Sequence, residues 1–552
     1  MITIYKSHSM KDAAAYVMGV LDNVDKSNLD VTHTVIVPDR ASMEAERALL
    51  QKLGGSFNVR VRTFRRLANE VLPKLAYLSK QAGIMALTGI IQDNKDKLSC
   101  FVRGAETPGF VSDMYDVISM MKYCRIPPQA LLEGELPEGV KGKAHDVGVL
   151  YKAYCDFSQC RYVDSADKLE LFCEAVKTSE QIKNGYFYLY DFDNFSAQEL
   201  GIVEQLALHS KGVTVACCAG EGERNAHLYL NDIYEGVLDV CRKNGITPQI
   251  NASDGGYDNA LARQIGENLF RYGKAAPVEC GDVVETYRGS TRVQEVYSLA
   301  CRIQDYVRQG GRFRDVYVVT SDVDKYYNAV STVFGQFDIP YFCDRQYVLA
   351  AHPYARFITD YFTLCKNNGR QREVLRFVKN PLFCGNFSSE TPSVDEDVYY
   401  FENFCLKYNV SFNYDSFQGF EGDAYCARAE SFRKKFHSLY EGFKPPKKGT
   451  VGGFADCVRR LAELTSLREK AEQLARQQQA LGLLYESKVT SQAAEKLDGV
   501  LAQTEVLADR EVTLEEFLRI FSAALSSVKI SVLPVTNDSV VFANMAKARK
   551  HD

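Results

Sequence analysis

The sequence predicts an α/β protein with two parallel sheets, each covered by helices and each interrupted by a large helical insertion. Two observations lead to this prediction. Short apolar, β-branched runs alternate with amphipathic helical patterns, which is typical of parallel strands joined by helices. This alternation occurs twice along the 552 residues, and each time a long helical stretch interrupts it. A chain of this length has room for several domains.

The first sheet is predicted from five short apolar runs. They are residues 2–5 (ITIY), 33–38 (HTVIVP), 57–62 (FNVRVR), 186–190 (YFYLY) and 212–218 (GVTVACC). Helical spacing joins them at residues 11–22, 41–53, 63–72 and 196–209, and Ser196 is the type of residue that caps a helix N-terminus. Residues 80–180 are mostly helical and form the predicted insertion. The first domain is therefore expected to span residues 1–280.

The second alternation begins near residue 283. Its predicted strands are residues 283–289, 315–320 and 339–343, with helices at 293–310 and 324–337. A helical insertion follows over about residues 351–520, and strand character returns at residues 527–542. The second domain is expected to span residues 281–552. Because this sheet looks unfinished where the chain stops, we infer a chain truncated at its C-terminus; the alternative is a naturally short protein.

Composition excludes some classes of function. The net charge of -5 argues against a protein that coats duplex DNA, but it leaves room for a local basic groove. The 16 cysteines include no C-x-x-C pair and the eight histidines no H-x-x-x-H pair, so no metal site is expected. With no secretory leader and no apolar run of membrane-spanning length, we expect a cytoplasmic protein without a membrane partner. Asp164 and Asp167 have a catalytic-looking spacing, but acids at a helix N-terminus are the preferred interpretation.

A basic segment with an aromatic residue stands out at residues 59–66 (VRVRTFRR). Arg60 and Arg62 share one face of a strand. Arg65 and Arg66 begin the next helix, and Phe64 lies between the two pairs. Arginine binds phosphates, and an aromatic ring stacks on unpaired bases. The segment is thus a candidate nucleic-acid site; the alternative is a solvated basic strand edge.

The order of segments resembles a known family. VPDRASMEAERALL, VRTFRRLANEVL, GYFYLYDFDNFSAQEL and FDIPYFCDRQYVLAAHPYARFI follow one another as the parts of UvrD-type superfamily-one helicases do. The closer resemblance is to AddB, also called RexB, the second subunit of the ATP-dependent helicase/deoxyribonuclease AddAB. It implies that the two sheets are helicase-like, P-loop-like domains. It also implies a nuclease domain with an iron–sulfur cluster and magnesium beyond residue 552.

The resemblance implies further site residues. Arg40 and Ser42 match a DNA-facing turn that helps to read a recombination-hotspot sequence in the family. Phe192 and Phe195 flank the acidic segment and could stack on bases; the alternative is ordinary core packing. The family often has an aromatic residue at the position of Asn69, so this departure puts hotspot specificity in doubt.

The residues that hydrolyse ATP are missing from their expected places. No G-x-x-x-x-G-K-[ST] segment occurs, and the stretch after the first strand, YKSHSMKDAA, has no glycine. Phe192 stands where the general-base glutamate is expected, between Asp191 and Asp193. No ATPase or nuclease site, and no cofactor, is therefore expected in this chain. The resemblance places ATP on an AddA-type partner in a heterodimer that acts on single-stranded and end-containing double-stranded DNA.

These observations predict the inactivated-helicase portion of an ATP-dependent DNA helicase/exonuclease subunit. Its predicted role is to guide single-stranded DNA in double-strand break repair by homologous recombination, and to recognise a hotspot sequence. Two alternatives remain open. One is an active nucleotide hydrolase with an unconventional phosphate loop, and the other is a non-catalytic scaffold protein of the complex.

Overall fold

A computed structural model describes residues 1–545 except 8, 75, 105–106, 160, 220–231, 254–260, 262–263, 266–276, 278–283, 344, 387–392, 411–416, 418 and 533–537. The strands are β1 (Ile2–Ser7), β2 (Thr32–Ile36), β3 (Val59–Arg62), β4 (Gly185–Leu189), β5 (Gly212–Cys218), β6 (Gln249–Ala252), β7 (Tyr317–Thr320), β8 (Tyr341–Cys343), β9 (Gln346–Val348), β10 (Gly385–Asn386), β11 (Ser393–Val394), β12 (Lys448–Thr450), β13 (Glu511–Thr513), β14 (Lys529–Ser531) and β15 (Val540–Asn544).

The helices of the first half are α1 (Met10–Asp22), α2 (Ser42–Leu53), α3 (Phe64–Val71), α4 (Lys80–Asp93), α5 (Pro108–Tyr123), α6 (Pro128–Glu133), α7 (Glu138–Ser158), α8 (Ser165–Val176), α9 (Glu180–Lys183), α10 (Ala197–His209) and α11 (Asp232–Lys243). Those of the second half are α12 (Arg292–Arg308), α13 (Val323–Gln336), α14 (Pro353–Lys366), α15 (Gln371–Val378), α16 (Pro381–Cys384), α17 (Asp397–Tyr408), α18 (Cys426–Gly442), α19 (Val451–Leu464), α20 (Leu467–Ala480), α21 (Leu484–Gln503) and α22 (Leu514–Ser527).

The first sheet is parallel throughout and has the strand order β3-β2-β4-β5-β1-β6. The five apolar runs of the sequence form β1 to β5, so the predicted parallel sheet is confirmed. The sequence does not predict the sixth strand, β6, because its residues QINA form a short run that is largely exposed at the sheet edge.

Both faces of this sheet are buried, as the continuous apolar character of its central strands indicates. Helices α1 and α2 cover one face, where Val35 and Tyr188 lie in the core. Helices α3, α8, α10 and α11 cover the other face, where Ile36 and Phe187 lie. Neighbouring residues of one strand thus point into opposite cores, as the two-residue period of a strand requires.

Helices α4 to α8 occupy the chain between β3 and β4. Asp164 is the N-cap of α8, where its carboxylate accepts the backbone N–H groups of Ala166 and Asp167 at 2.9 Å each. The interpretation of these acids as helix N-terminal residues is confirmed. Both carboxylates also bind the ammonium group of Lys122 from α5 at 2.8 Å, which the sequence did not indicate.

The second sheet is a smaller parallel one, with the order β7-β15-β8. Helices α12 and α13 bury one side of it through Val296, Val330 and Phe334. The strand predicted at residues 283–289 is wrong for its described part, because residues 284–289 form no strand. They are mostly exposed, and no described strand lies beside them to satisfy their backbone groups.

The helical segments of the two halves pack against each other. Met85 of α4 belongs to the large core of the second half, and Ala523 of α22 belongs to the core around α4 and α7. Arg510 binds the carboxylate of Asp93 at 2.7 and 3.0 Å across this contact. None of the described helices is long and apolar enough to cross a membrane.

Candidate nucleic-acid interface

A cleft of about 380 Å³ opens at the carboxyl edge of the first sheet. Strands β2, β3 and β4 are neighbours in register, since Ile36 pairs with both Arg62 and Leu189. Ligands of open α/β sheets bind at this edge. We call the cavity the strand-end cleft; its lining residues are Val37, Pro38, Asp39, Arg40, Thr63, Phe64, Arg65, Tyr123, Leu169, Phe192, Asp193, Asn194, Ser196 and Glu199.

Three phenylalanines pack together beside this cleft. The ring centroid of Phe192 lies 5.6 Å from that of Phe64 and 4.9 Å from that of Phe195. The side chains of Phe64 and Phe192 are only 4% and 8% exposed, whereas Phe195 is half-buried. The prediction that Phe64 and Phe192 stack on bases does not fit this placement, because their rings are already covered by protein. Stacking by Phe195 stays a prediction.

Local capping explains why Phe64 points inward. Thr63 caps α3 by accepting the backbone N–H of Arg66 at 3.3 Å, which places Phe64 at the first position of the helix. Phe64 and Leu67 then share the buried face of α3, and the two arginines between them are exposed. The segment that the sequence singled out therefore divides into a buried aromatic residue and an exposed basic pair.

Arg40, Arg65 and Arg66 form an exposed set that we call the outer arginines. Arg40 follows β2 and donates to the carboxylate of Asp193 at 2.9 Å and to the carbonyl of Asp191 at 3.0 Å. Arg65 lies 3.9 Å from a carboxylate oxygen of Asp39. Arg40 and Arg65 thus both line the strand-end cleft, the first from the turn after β2 and the second from the start of α3.

Arg66 lies beside this pair on the outer side of α3. It donates to the hydroxyl of Ser42 at 3.1 Å and to the carboxylate of Glu46 at 3.0 Å. Ser42 is 4% exposed, so its hydroxyl orients Arg66 rather than meeting a ligand directly. The predicted contact of Ser42 with DNA therefore does not fit its burial.

Arg62 and Asn69 do not line the cleft. Arg62 donates to Glu70 at 2.5 Å, and Arg60 approaches the same carboxylate at 3.1 Å. Burial lowers the pKa of Arg60, and the neighbouring charge of Arg62 lowers it further against the opposing effect of Glu70. Asn69 is exposed and its side-chain oxygen accepts from Lys168.

A helix of the insertion completes the cleft. Tyr123 is the last residue of α5, and its hydroxyl accepts from Arg65 at 3.4 Å. Burial would lower the pKa of Arg65, but Tyr123 and then Asp39 outweigh it and raise that pKa above its usual value. No pattern in the sequence points to Tyr123, because about 60 residues separate it from the basic segment.

The turn after β4 has an unusual backbone. Asp191 is buried and has φ 64°, a left-handed conformation that Asp adopts more readily than most residues. This turn directs Phe192 into the aromatic cluster and leaves Asp193 exposed at the rim. Non-glycine residues in this conformation are concentrated at functional sites, and here the turn supports Arg40 through its carbonyl.

The turn after β1 corresponds to the place where a phosphate loop would lie. Only residues 8 and 9 separate β1 from α1, and Ser9 caps the helix by accepting from the backbone N–H of Asp12 at 3.1 Å. The carboxylate of Asp12 accepts from Ser7 at 2.7 Å and from Tyr5 at 3.0 Å. A protein carboxylate therefore occupies the first turn of this helix, where a bound phosphate would be favoured. Among the described residues, no cluster of three His, Cys, Asp or Glu side chains could hold a metal ion.

Comparisons with known proteins agree with the resemblance seen in the sequence. Residues 13–258 match a family model described as "ADDB, N-terminal". The chain is 25% identical to the second subunit of the ATP-dependent helicase/deoxyribonuclease of Bacillus pumilus (strain SAFR-032), over 94% of this chain and 48% of the relative. The proteins of the same name from Clostridium kluyveri (strain NBRC 12016) and Bacillus subtilis (strain 168) are also 25% identical, over the same shares.

The chain spans about half the length of these curated relatives. The family model covers strands β2 to β6 of the first sheet and the strand-end cleft, and the longer alignments extend over both halves of the structure. The chain is therefore similar to the amino-terminal part of AddB-family proteins.

Proposed function

We propose that this chain is the inactivated-helicase portion of an AddB-type protein and guides single-stranded DNA along the strand-end cleft. The observation that carries the proposal is that Arg40 and Arg65 line this cleft at the carboxyl edge of the first sheet, with Arg66 exposed next to Arg65 on α3. Phosphate contacts by arginine dominate the binding of nucleic-acid backbones. Two arginines at the cleft and a third beside them offer such contacts at an edge where an α/β fold binds its ligands.

The nucleotide side of the fold supports a guide rather than a motor. ATP hydrolysis needs backbone N–H groups that approach the phosphates around a glycine-rich loop and a lysine. Here the turn after β1 is short, and Asp12 places a negative charge at its helix. DNA-stimulated ATP turnover by this chain alone would favour the alternative of an active nucleotide hydrolase.

The relatives are named as components of an ATP-dependent helicase/deoxyribonuclease. We extend the proposal to an AddA-type partner that hydrolyses ATP and drives DNA past this chain in a cytoplasmic complex. A nuclease domain with an iron–sulfur cluster and magnesium would then belong to the part of the relatives that this chain does not cover. The complex would act at double-strand breaks in homologous recombination.

Recognition of a hotspot sequence is the most specific part of the proposal. Among the residues that the resemblance alone implies, Arg40 and Phe195 stay accessible at or beside the strand-end cleft, whereas Ser42 and Phe192 are buried. An arginine can read a guanine edge, and an aromatic ring can stack on a base. Asn69 lies outside the cleft and provides no aromatic face, so selectivity would rest on Arg40 and its neighbours.

The test compares two triple variants of the 552-residue chain. Arg40→Ala/Arg65→Ala/Arg66→Ala removes the outer arginines, while Arg242→Ala/Arg308→Ala/Arg459→Ala removes the same charge from exposed side chains elsewhere. Binding of a fluorescent single strand of about 16 nucleotides is measured by anisotropy in about 50–200 mM NaCl.

We expect the first variant to lose about tenfold to a hundredfold in affinity. Its plot of log affinity against log salt should become shallower by at most about 2 units, because each phosphate contact on a single strand contributes about 0.7 when no protein acid competes for the arginine. The remote variant should change little. Equal losses of affinity in both variants would refute the assignment of the site. Undiminished binding in the first variant would favour the alternative of a non-catalytic scaffold.

A further inference from the structure

We propose that Asp39 and Asp193 at the strand-end cleft and Glu46 beside it occupy the positions that DNA phosphates would take on the outer arginines, and that they lower the affinity for DNA until a strand displaces them. We call these residues the screening carboxylates. The proposal rests on the function proposed above and adds a regulatory element to the same site. It predicts that the unliganded site is neutralised by the protein's own acids.

Each outer arginine is matched by one screening carboxylate. Arg40 meets Asp193 at 2.9 Å, and Arg66 meets Glu46 at 3.0 Å. The third pair, between Arg65 and Asp39, is longer at 3.9 Å. Three positive and three negative charges therefore cancel at the rim, even though the sequence around residues 60–66 reads as strongly basic.

Each acid comes from a different element than the arginine it faces. Asp39 precedes Arg40 in the turn after β2, but it faces Arg65 on α3. Asp193 follows β4 and meets Arg40 after β2, whereas Glu46 on α2 meets Arg66 on α3. These pairs are therefore tertiary contacts between separate chain segments. A carboxylate and a phosphate present the same charged oxygen acceptors to a guanidinium group, so a DNA backbone can replace each acid in turn.

Exposure makes this exchange feasible. Side chains of the three pairs are between 37% and 63% exposed, so water and a DNA strand can both reach them. Exposed ion pairs of this kind contribute little to stability and are screened by salt. Displacing the acids therefore needs no unfolding, but it subtracts from the free energy of DNA binding.

Arg60 and Arg62 show the contrast. Both share the single carboxylate of Glu70, and these three side chains are only 24–30% exposed. Arg62 also donates to the backbone carbonyl of Val61 at 2.8 Å. These inner arginines are less exposed than the outer arginines and are tied to the fold, so the exchange is confined to the outer set.

The exchange has a consequence for movement along DNA. An arginine that leaves a phosphate can return at once to its carboxylate, so no guanidinium group stays unpaired between two phosphates. Affinity per phosphate is then low, and the dependence on salt is shallower than three exposed arginines would give alone. Such weak and repeated contacts suit a strand that slides past the site.

The experiment neutralises the acids without changing their size. Asp39→Asn/Glu46→Gln/Asp193→Asn is compared with Asp305→Asn/Glu441→Gln/Asp456→Asn, which makes the same charge change at exposed pairs away from the cleft. Binding to a mixed-sequence single strand of about 16 nucleotides is measured by anisotropy from about 50 to 200 mM NaCl. Thermal unfolding by circular dichroism checks that both variants fold.

We expect the first variant to bind about tenfold more tightly than the wild type at the lowest salt, with a steeper salt dependence. The remote variant should gain less than about twofold. An equal gain in both variants, an unchanged affinity or a loss in the first variant would each overturn the screening role. Loss of binding in the outer-arginine variant together with no gain here would leave the proposed function standing, whereas no effect of the arginines would refute both.

Discussion

Replacing Lys122 by methionine should lower the free energy of unfolding by about 3 kcal/mol, because it leaves two carboxylates without their cation. The ammonium group of Lys122 lies 2.8 Å from oxygens of both Asp164 and Asp167. Burial would lower the pKa of Lys122, but these two acids outweigh it and raise that pKa. Methionine keeps the length and the apolar stem of the side chain, so the change isolates the charge.

The magnitude follows from burial. Lys122 and Asp164 are 6% and 4% exposed at their side chains, and breaking a buried pair typically costs about 3–5 kcal/mol. Asp167 is 35% exposed and so retains some solvation, which favours the lower end of that range. The triple variant Lys122→Met/Asp164→Asn/Asp167→Asn should recover part of the loss, because no charge is then left unpaired.

The dependence on pH gives an independent check. Burial raises the pKa of Asp167, and the nearby charge of Asp164 raises it further, against the effect of Lys122. Without Lys122 the pKa of the Asp167 carboxyl group should rise further in the folded state, because the opposing effect of the lysine is gone. A raised folded pKa contributes stability below the unfolded value that is lost as the pH rises. The deficit of the variant should therefore be larger at about pH 7 than at about pH 4.

Urea unfolding followed by circular dichroism measures these differences. Lys183→Met serves as the control, because its pair with Glu180 is exposed and should contribute less than about 1 kcal/mol. If Lys122→Met lowers the free energy of unfolding no more than this control does, or lowers it equally at both pH values, the argument is wrong. The buried group of Lys122, Asp164 and Asp167 would then not stabilise the insertion as proposed.

Two further predictions use the same measurement. Gly83→Ala should lower the free energy of unfolding by about 1–3 kcal/mol, because its added Cβ would lie 2.4 Å from the ring of Tyr115. Gly19→Ala is the control and should raise the free energy of unfolding by about 0.5–1 kcal/mol, because open space surrounds that position. Equal effects of the two substitutions would contradict the packing argument. Burial lowers the pKa of His352 to about 4, so its contribution to stability is fully present above about pH 6.5. The free energy of unfolding should therefore fall by about 3 kcal/mol as the pH drops from about 6.5 to below 4. His352→Asn should abolish that loss, and an unchanged acid profile would contradict the assignment.

Much of the first sheet could be predicted from the sequence, because burial on both faces leaves a direct mark on composition. The runs HTVIVP and GVTVACC are almost wholly apolar and form β2 and β5. The N-cap at Ser196 was also predictable, and the structure adds the reciprocal contact from Glu199. Such features depend on a few neighbouring residues, so the local sequence contains the information.

The candidate site was less predictable, because its character depends on contacts between distant residues. A basic segment does not reveal that Asp193, some 150 residues away, neutralises Arg40. Nor does an aromatic residue among arginines reveal which way it faces; the cap at Thr63 decides that for Phe64. The strand predicted at residues 284–289 was wrong for a related reason. A strand needs a neighbouring strand to pair with, and the periodicity of a short segment does not reveal whether one is present.

The packing of α4 against α22 bears on how such a chain could work in a larger machine. A stepping helicase opens and closes the gap between its two lobes in every cycle. Here the same motion would pull Met85 out of one apolar core and Ala523 out of another, and it would break the bond between Arg510 and Asp93. These contacts oppose such an opening, which agrees with the proposed role as a guide rather than a motor.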